Sequence, residues 1–177
     1  MIKEVFKKNF PFTEEFSYSY KSTKYIDVIT TTTKDSDLIF EFKVSNFDEP
    51  FIGKISRKLF EDYDDYTRFF TYLNQNNHES AFLSSGFQSL EIYKIWDIFV
   101  ASPFQKLGIG AELLKHAEKI ARDWNAKVIV VECLSSNYPA FRFFQKNNFL
   151  ITGFNLVNNS RNDLKRHNFL ILMSKLL

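Results

Sequence analysis

The chain has 177 residues, enough for one domain of ordinary size with a single compact core. Its 23 Lys and Arg residues against 21 Asp and Glu residues give a net charge of +2, which favours neither a nucleic-acid partner nor a polybasic membrane contact. The lone Cys133 excludes an internal disulfide, and no Cys/His spacing is typical of a zinc site. These features predict a reducing compartment, the cytoplasm, and no bound metal.

No part of the sequence resembles a leader or a membrane anchor. Charged residues interrupt the apolar ones from Met1 to Lys8, and no apolar run approaches the roughly 18 residues that a membrane-spanning helix needs. Neither a repeat nor a Gly/Ser linker divides the chain. We therefore expect one domain over residues 1–177, in which the halves 1–90 and 91–177 differ in their sequence patterns.

The first half is expected to form two strands and a helix. Residues 25–33 are rich in β-branched side chains and residues 38–44 alternate apolar and polar, with a polar turn between them. Over residues 57–74, apolar and aromatic side chains recur at spacings of three and four, which predicts an amphipathic helix. The acidic residues within 61–65 point in different directions around such a helix, so a solvated face is favoured over a metal site.

The second half alternates predicted strands and helices. A turn at 102–110 leads into a strongly amphipathic helix at 111–125, and Pro139 begins a second helix. The predicted strands cover residues 81–87, 91–100, 128–131, 149–157 and 169–177. This order predicts an α+β fold, an α/β three-layer arrangement in which helices flank a central mixed, mostly antiparallel sheet.

The turn between the strand at 91–100 and the helix that follows carries the strongest chemical signal. Its segment Gln105-Lys106-Leu107-Gly108-Ile109-Gly110 has two glycines, which permit positive φ and remove side chains that would block a ligand. Free N–H groups at the start of the next helix, together with its dipole, suit an anion such as a pyrophosphate. A plain structural turn would explain the glycines equally well, and the patterns of a P-loop and of a Rossmann fingerprint are both absent.

These residues resemble the GNAT family of acetyltransferases. The phosphate turn of that family reads Gln or Arg, two residues, Gly, one residue, and Gly or Ala, and Gln105, Gly108 and Gly110 occupy the fixed places. The resemblance covers residues 91–154. Within the family, the closing strands are similar to those of the streptothricin acetyltransferase branch.

Three further segments carry the same resemblance. The strand that ends at Val100 lies where the family binds pantetheine, and Glu132 followed by Asn137 lies where the family has a strand Glu followed by Asn. The run from Phe143 to Phe149 corresponds to the family pattern Phe-Tyr-x-Lys-x-Gly-Phe. The spacing from Glu132 to Asn137 also resembles enzymes that acetylate the N-termini of ribosomal proteins.

The resemblance implies acetyl-CoA as co-substrate, with direct transfer of the acetyl group to an amine. The backbone of the strand would pair with the pantetheine arm and Val100 N–H would polarise the thioester carbonyl, while Asn137 would hydrogen-bond the cofactor. The implied cofactor-binding residues are Ile98, Phe99, Val100, Gln105, Lys106, Leu107, Gly108, Ile109, Gly110, Ala111 and Asn137.

The resemblance also implies which residues transfer protons during the reaction. Glu132 stands where related enzymes have a general base, and alternation with Val128 and Val130 predicts an apolar setting for it. Asp97 interrupts an apolar strand and is the rival base, with Glu91 a weaker third. The alternative is that Glu132 merely contacts solvent or a cation at a strand end and has no catalytic role.

The family usually protonates the departing thiolate with the Tyr of its Phe-Tyr pair, but this chain has Phe144 there. A phenyl ring has no proton to give, so the step falls to Tyr138, to Cys133, to a water or to no group. Asn148 replaces the family Gly, which is tolerable because Asn enters left-handed conformations. The three histidines are expected to face solvent, and Cys133 is expected in the core.

The resemblance implies two alternative functions. The first is an N-acetyltransferase for a primary amine of a small molecule, including a streptothricin-like antibiotic, or for a protein N-terminus, with residues 1–90 on the acceptor side. The alternative is a catalytically weak module that binds or senses acyl-CoA. Exposed strand edges near the C-terminus are compatible with a homodimer, and neither nucleic acid nor membrane is expected as a partner.

Overall fold

The computed structural model describes residues 1–6, 15–58 and 66–177. By the density of internal contacts the chain forms two compact units. The first consists of Met1–Phe16, Arg57–Glu132 and Ser174–Leu177, and the second of Ser17–Ser56 and Cys133–Met173. None of the helices in the described ranges is long and apolar enough to cross a bilayer.

The elements follow the predicted alternation closely in the second half of the chain. In chain order they are β1 (Ile2–Val5), β2 (Glu15–Thr32), β3 (Leu38–Lys58), β4 (Arg68–Leu73), β5 (Glu79–Ser89), β6 (Ile92–Val100), a short 3-10 helix (Ser102–Phe104), α1 (Ile109–Asp123), β7 (Val128–Leu134), α2 (Tyr138–Lys146), β8 (Leu150–Asn155) and β9 (Leu170–Leu176).

Seven strands form the central sheet, in the order β1-β4-β5-β6-β7-β9-β8. The pairs β1–β4, β4–β5 and β5–β6 are antiparallel, whereas β6 and β7 run parallel. The parallel pair is possible because α1 provides the crossover between its strands. Helices flank this mixed, mostly antiparallel sheet, which confirms the predicted fold class.

Helix α1 supplies the core of the first unit. Its apolar stripe is buried as predicted, with Leu113, Leu114, Ala117 and Ala121 at most 1% exposed. The stripe packs because residues at spacings of three and four share one face of a helix. This burial fixes α1, and with it the turn that precedes it, against one face of the sheet.

The helix predicted over residues 57–74 is wrong where it can be compared with the structure. Residues 68–73 form strand β4, paired on one side with β1 and on the other with β5. Adjacent apolar residues such as Phe69 and Phe70 fit a helical stripe as well as a strand, and Phe, Tyr and Thr favour strands once neighbours are available to pair with. Residues 59–65, which hold the acidic cluster, lie outside the described residues.

The second unit contains the hairpin of β2 and β3 and the helix α2. Both strands of the hairpin are longer than predicted, and the polar turn between them is confirmed, with Ser36 at φ 66°. Helix α2 buries Phe141 and Phe144, and the Phe144 ring lies 5.5 Å from that of Phe149. Pro139 lies in the first turn of α2, as predicted.

Candidate active site

The turn from β6 into α1 has a defined backbone path. The 3-10 helix follows β6, and Lys106 then adopts φ 63° and Gly108 φ 87°, both in the left-handed region. Gly108 is the residue before the first turn of α1, and a Cβ added there would meet no atom within 4 Å. Glycine is therefore favoured at this position by the backbone conformation rather than by lack of space.

The start of α1 presents unpaired backbone donors. The first hydrogen bond of the helix runs from Glu112 N–H to Gly108 O, at 3.1 Å. The N–H groups from Gly108 to Ala111 consequently have no acceptor within the helix. Lys106, Leu107 and Gly108 are exposed, so an anion can approach these donors and the positive end of the helix dipole.

The side chain of Gln105 stabilises this turn. Its Nε2 donates a hydrogen bond to the Val100 carbonyl oxygen, 2.9 Å away, and so links the turn to the last residue of β6. The sequence placed Gln105 among the cofactor-binding residues. The structure gives its side chain a role in holding the turn, while contact with a cofactor remains a prediction.

The end of β6 presents backbone groups away from β5. Ala101 N–H donates to Ser80 O at 2.9 Å, and Val100 pairs with Ala81 in the register of β5 and β6. In an antiparallel ladder, alternate residues point their N–H and C=O groups toward the partner strand and away from it. The groups of Ile98 and Val100 are therefore the ones that point away from β5.

The parallel pairing of β6 with β7 ends before the end of β6. Its register pairs run from Ile92 with Val128 to Ile95 with Val131, whereas β6 continues to Val100. The outward backbone groups of Ile98 and Val100 thus lie beyond the last register pair. This is the arrangement that an extended ligand needs in order to pair with a strand.

A β-bulge at Trp96 alters the alternation of side chains along β6. Ile95 pairs with Ser85 and Asp97 with the adjacent residue Ser84, so Trp96 is the extra residue on the β6 side. Bulges of this kind re-aim the side chains that follow them. Simple alternation along the sequence therefore assigns residues after Trp96 to the wrong face.

The bulge brings the candidate bases onto one face of the sheet. Gly86 pairs with Lys94 and Ser84 with Asp97, and Gly86 and Ser84 share a face of β5. Lys94 also pairs with Val130, and Glu132 lies two residues further along β7 on that same face. Asp97, Lys94 and Glu132 consequently point to a common side.

Helix α1 covers the opposite face. Leu83, Tyr93 and Ile95 on that face are at most 2% exposed, and the Phe70 ring meets the His116 ring of α1 at 4.7 Å. The face with the carboxylates is therefore turned away from the packed core of α1.

Glu132 has a different environment from the one that the sequence predicted. Its side chain is 39% exposed, and Oε1 accepts a hydrogen bond from Lys94 Nζ at 2.9 Å. The prediction of an apolar setting is wrong, because the register of two strands distant in sequence places a buried ammonium group beside the carboxylate. The catalytic role of Glu132 remains a prediction.

Asp97 is the more deeply buried carboxylate, with 8% of its surface exposed. Ser84 Oγ donates a hydrogen bond to Asp97 Oδ2 at 3.3 Å. A hydroxyl donor of this kind stabilises an ionised carboxylate in a buried position. Asp97 thus remains a candidate base, while Glu91 is exposed at the turn before β6.

The remaining predicted residues belong to the second unit. Asn137 Oδ1 accepts a hydrogen bond from Ala140 N–H at 3.3 Å, which makes Asn137 the N-cap of α2. Tyr138 is half-buried, with its ring 6.3 Å from that of Phe141. Phe144 is 4% exposed and fills the core of α2.

The chain matches the model of a known protein family. The model described as the acetyltransferase (GNAT) family matches residues 36–149, which is more than half of the chain. The chain belongs to the GNAT acetyltransferase family. The resemblance read from the turn and the strands is thereby confirmed, and with it the assignment to the acyltransferases.

Two solved GNAT structures share the fold over almost the whole length. A nourseothricin acetyltransferase is 19% identical, with a TM-score of 0.76 over 99% of this chain and 97% of that one. A candidate streptothricin acetyltransferase from Bacillus anthracis in complex with acetyl coenzyme A has the same identity of 19% and TM-score of 0.76, over 100% and 97% of the two chains. At this identity the likeness establishes the fold.

A curated relative matches a shorter segment. An N-alpha-acetyltransferase from Sulfolobus acidocaldarius is 39% identical over 56 residues, which are 31% of this chain. The match spans 33% of that relative's length. Ard1 from Thermoplasma volcanium is a further structural neighbour, 22% identical with a TM-score of 0.55 over 62% of this chain and 70% of that one.

The predictions for the histidines and the cysteine of this GNAT chain are confirmed only in part. His78 is exposed as predicted, but His116 and His167 are half-buried in ring contacts, so the expectation for these two is wrong. Burial lowers the pKa of His116, with a further contribution from Arg68. Cys133 is buried as predicted, and burial raises the pKa of its thiol to about 12.

Sequence reasoning missed Lys94 and Ser84, which contact the two candidate bases. Lys94 was visible as a charge within an apolar strand, and a buried lysine is rare unless it has a partner. The sequence therefore showed an unusual lysine but could not show which residue that lysine contacts. Among the described residues, no group of three or more His, Cys, Asp or Glu side chains is arranged to hold a metal ion.

Proposed function

We propose that this chain is an acetyl-CoA-dependent N-acetyltransferase that transfers the acetyl group directly to a primary amine. The observation that carries the proposal is the turn before α1, where the N–H groups from Gly108 to Ala111 are unpaired. This turn follows the end of β6, whose outward backbone groups can pair with an extended ligand. This combination suits a ligand with an extended arm and a pyrophosphate. Family membership supports the same reading.

In the proposal, β6 and the turn that follows it hold most of the co-substrate. The N–H groups of Ile98 and Val100 pair with the pantetheine arm, and Val100 N–H polarises the thioester carbonyl. The backbone from Lys106 to Ala111 binds the pyrophosphate. Asn137 uses Oδ1 as a helix cap, so its Nδ2 group is the atom proposed to contact the cofactor.

Glu132 is the proposed general base, with Asp97 as the rival. A partly exposed carboxylate can accept the proton of an incoming ammonium group and return it to solvent. The neutral amine then attacks the thioester carbonyl, and the coenzyme A thiolate departs. Glu132 and Asp97 also add negative charge to a face that a cationic acceptor would approach.

Protonation of the departing thiolate is proposed for Tyr138. Phe144 has no proton to give and is buried among the rings of α2. A thiol with a pKa near 8.5 leaves tolerably as its anion, and general acid catalysis contributes about 10²–10⁴-fold. Loss of the family tyrosine is therefore expected to slow the reaction rather than to abolish it.

The proposed acceptor is a small cationic amine, such as an antibiotic of the streptothricin kind, or a protein N-terminus. The names of the two structural relatives support the first class and the name of the curated relative supports the second. Residues 1–90 are proposed as the acceptor side of a single functional domain. A cytoplasmic location and a homodimer remain proposals as well.

The second candidate function is a module that binds or senses acyl-CoA with little catalysis. The observation that favours it is Phe144, a buried phenyl ring where the family usually has a proton donor. Both functions require cofactor binding, so turnover separates them.

Release of free thiol from acetyl-CoA tests the proposed function. We expect release to accelerate above background hydrolysis with at least one member of a panel of small diamines, streptothricin-class antibiotics and peptides with free N-termini. Mass spectrometry should find the acceptor heavier by one acetyl group. Background rates with every acceptor, together with measurable acetyl-CoA binding, would favour the sensing module instead.

A further inference from the structure

Lys94 is a buried cation that none of the roles described so far requires. Its side chain is 11% exposed, and it lies on β6 on the face that also carries Asp97 and Glu132. A buried ammonium group is strongly unfavourable unless nearby groups compensate for the lost water. The structure provides two such groups.

The first is the Glu132 carboxylate and the second is an aromatic ring. Lys94 Nζ donates a hydrogen bond to Glu132 Oε1 at 2.9 Å. The same Nζ lies 4.2 Å from the centroid of the Trp96 ring, within the range of a cation–π interaction. Two anchors on one ammonium group leave Lys94 little freedom, so its position is well defined.

This defined position restrains Glu132 in turn. An unpaired Glu side chain that is 39% exposed would sample several rotamers, and fixing it would cost conformational entropy. The charge-assisted bond to Lys94 selects the conformation in which Oε1 faces the ammonium group. The second oxygen, Oε2, is not the atom in that bond.

We propose that Lys94 is a positioning residue for the proposed base, holding Glu132 Oε1 so that Oε2 is the atom that receives the acceptor's proton. This rests on the proposed function of the same site. In the step, an N–H bond of the acceptor ammonium breaks, its electron pair stays on nitrogen, and the proton forms a bond with Oε2. The neutral carboxyl then loses the proton to solvent through its exposed part.

The test compares Lys94→Met with Lys94→Arg in the complete chain. We expect Lys94→Met to lower kcat about tenfold with acetyl-CoA affinity unchanged, while Lys94→Arg, which keeps a charged donor for Glu132 Oε1, restores kcat to near that of the parent. Lys175→Met is the matched control, since Lys175 forms a comparable pair with Glu118 at 2.7 Å. This control should leave kcat unchanged.

A second readout does not depend on turnover. Side-chain scalar couplings of Glu132 measured by NMR, in the protein without substrates, should show one dominant rotamer in the parent and in Lys175→Met and averaging over rotamers in Lys94→Met. Identical Glu132 rotamer populations in the parent and in Lys94→Met overturn the proposal. An averaged Glu132 side chain with unchanged kcat also overturns it and assigns the base elsewhere, while absence of amine-dependent thiol release in the parent would instead refute the proposed function.

Folding must be controlled, because Lys94→Met changes a buried position. Lys94→Gln, which keeps a hydrogen-bond donor near Glu132 without the charge, is expected to retain a higher kcat than Lys94→Met. A loss of kcat in Lys94→Arg as large as that in Lys94→Met would show that packing rather than the bond to Glu132 is responsible and would contradict the proposal.

Discussion

Glu132 and Asp97 are carboxylates on one face of the sheet with contrasting surroundings. Glu132 is partly exposed and paired with an ammonium group, whereas Asp97 is buried and accepts a hydrogen bond from a hydroxyl. Exposure allows Glu132 to exchange protons with solvent after each turnover. We therefore keep Glu132 as the proposed base and treat Asp97 as the rival.

Substitution of Glu132 by Gln tests this choice directly. We expect Glu132→Gln to lower kcat by about 10²-fold or more, because general base catalysis contributes about 10²–10⁴-fold, and to leave acetyl-CoA affinity unchanged. Asp97→Asn should have a smaller effect on kcat. Steady-state kinetics and calorimetric titration with acetyl-CoA give the two numbers.

This substitution needs a structural control, since it leaves the Lys94 ammonium group buried beside a neutral amide. Glu118→Gln breaks the comparable pair with Lys175 and reports the effect of such a loss on folding alone. Unchanged turnover in Glu132→Gln, with a large loss in Asp97→Asn, would transfer the role of base to Asp97.

Individual residue types were more predictable than their partners. The family resemblance indicated Glu132 as the candidate base, and Asp97 was its rival because it interrupts an apolar strand. The sequence could not indicate that Lys94 contacts Glu132, because that contact depends on the register between two strands separated by a helix. Pairing register is a tertiary property, which no local pattern encodes.

At the scale of single elements, the helix cap of α2 overlaps with a proposed cofactor contact. Asn137 caps the helix through Oδ1, while its Nδ2 group is proposed to bind the cofactor. The two roles use different atoms of one side chain. They can therefore be separated by substitution.

Asn137→Asp should preserve the cap and remove the proposed contact. Asp caps helices as well as Asn does, so thermal stability is expected to stay near that of the parent, while loss of the amide donor should weaken acetyl-CoA binding by about tenfold. Asn137→Ala is the control that loses both, with a stability loss of about 1 kcal/mol. Equal acetyl-CoA affinity in the parent and Asn137→Asp would reduce Asn137 to a structural cap.

Elements in which apolar residues recur at a clear spacing were predicted well, whereas elements that depend on pairing with other strands were not. The stripe of α1 and the short apolar run of β7 appear close to their predicted bounds. Strand β4 was assigned to a helix because adjacent aromatic residues satisfy both periods, and only pairing with β1 and β5 decides between them. The bulge at Trp96 is equally invisible in the sequence, yet it determines the face on which Asp97 lies.

For the whole molecule, the fold class and the family followed from the order of the motifs. The turn ending at Gly110 is a weak signal alone, but its place between β6 and α1, with Glu132 and Asn137 beyond them, makes it specific to the GNAT family. The acceptor did not follow, because the first half of the sequence contains no motif that names a ligand. Residues 1–90 remain the proposed acceptor side.

The division into two compact units does not coincide with the predicted halves. Each unit contains segments from both predicted halves, and the chain passes from one unit to the other within β2, β3, β7 and β9. Elements of both predicted halves thus contribute to each unit. The assignment of a single functional domain over residues 1–177 remains a proposal.

Recognition of a pyrophosphate by the turn before α1 is the central claim. Its most direct test is an NMR titration of ¹⁵N-labelled protein with coenzyme A and, separately, with S-acetylpantetheine, which has the same arm but no pyrophosphate. Coenzyme A should shift the amide signals of Gly108 and Gly110 together with those of Ile98 and Val100, and it should bind at least about tenfold more tightly than S-acetylpantetheine. Saturating coenzyme A that leaves the Gly108 and Gly110 amides unmoved, or equal affinity for the two ligands, would contradict the claim.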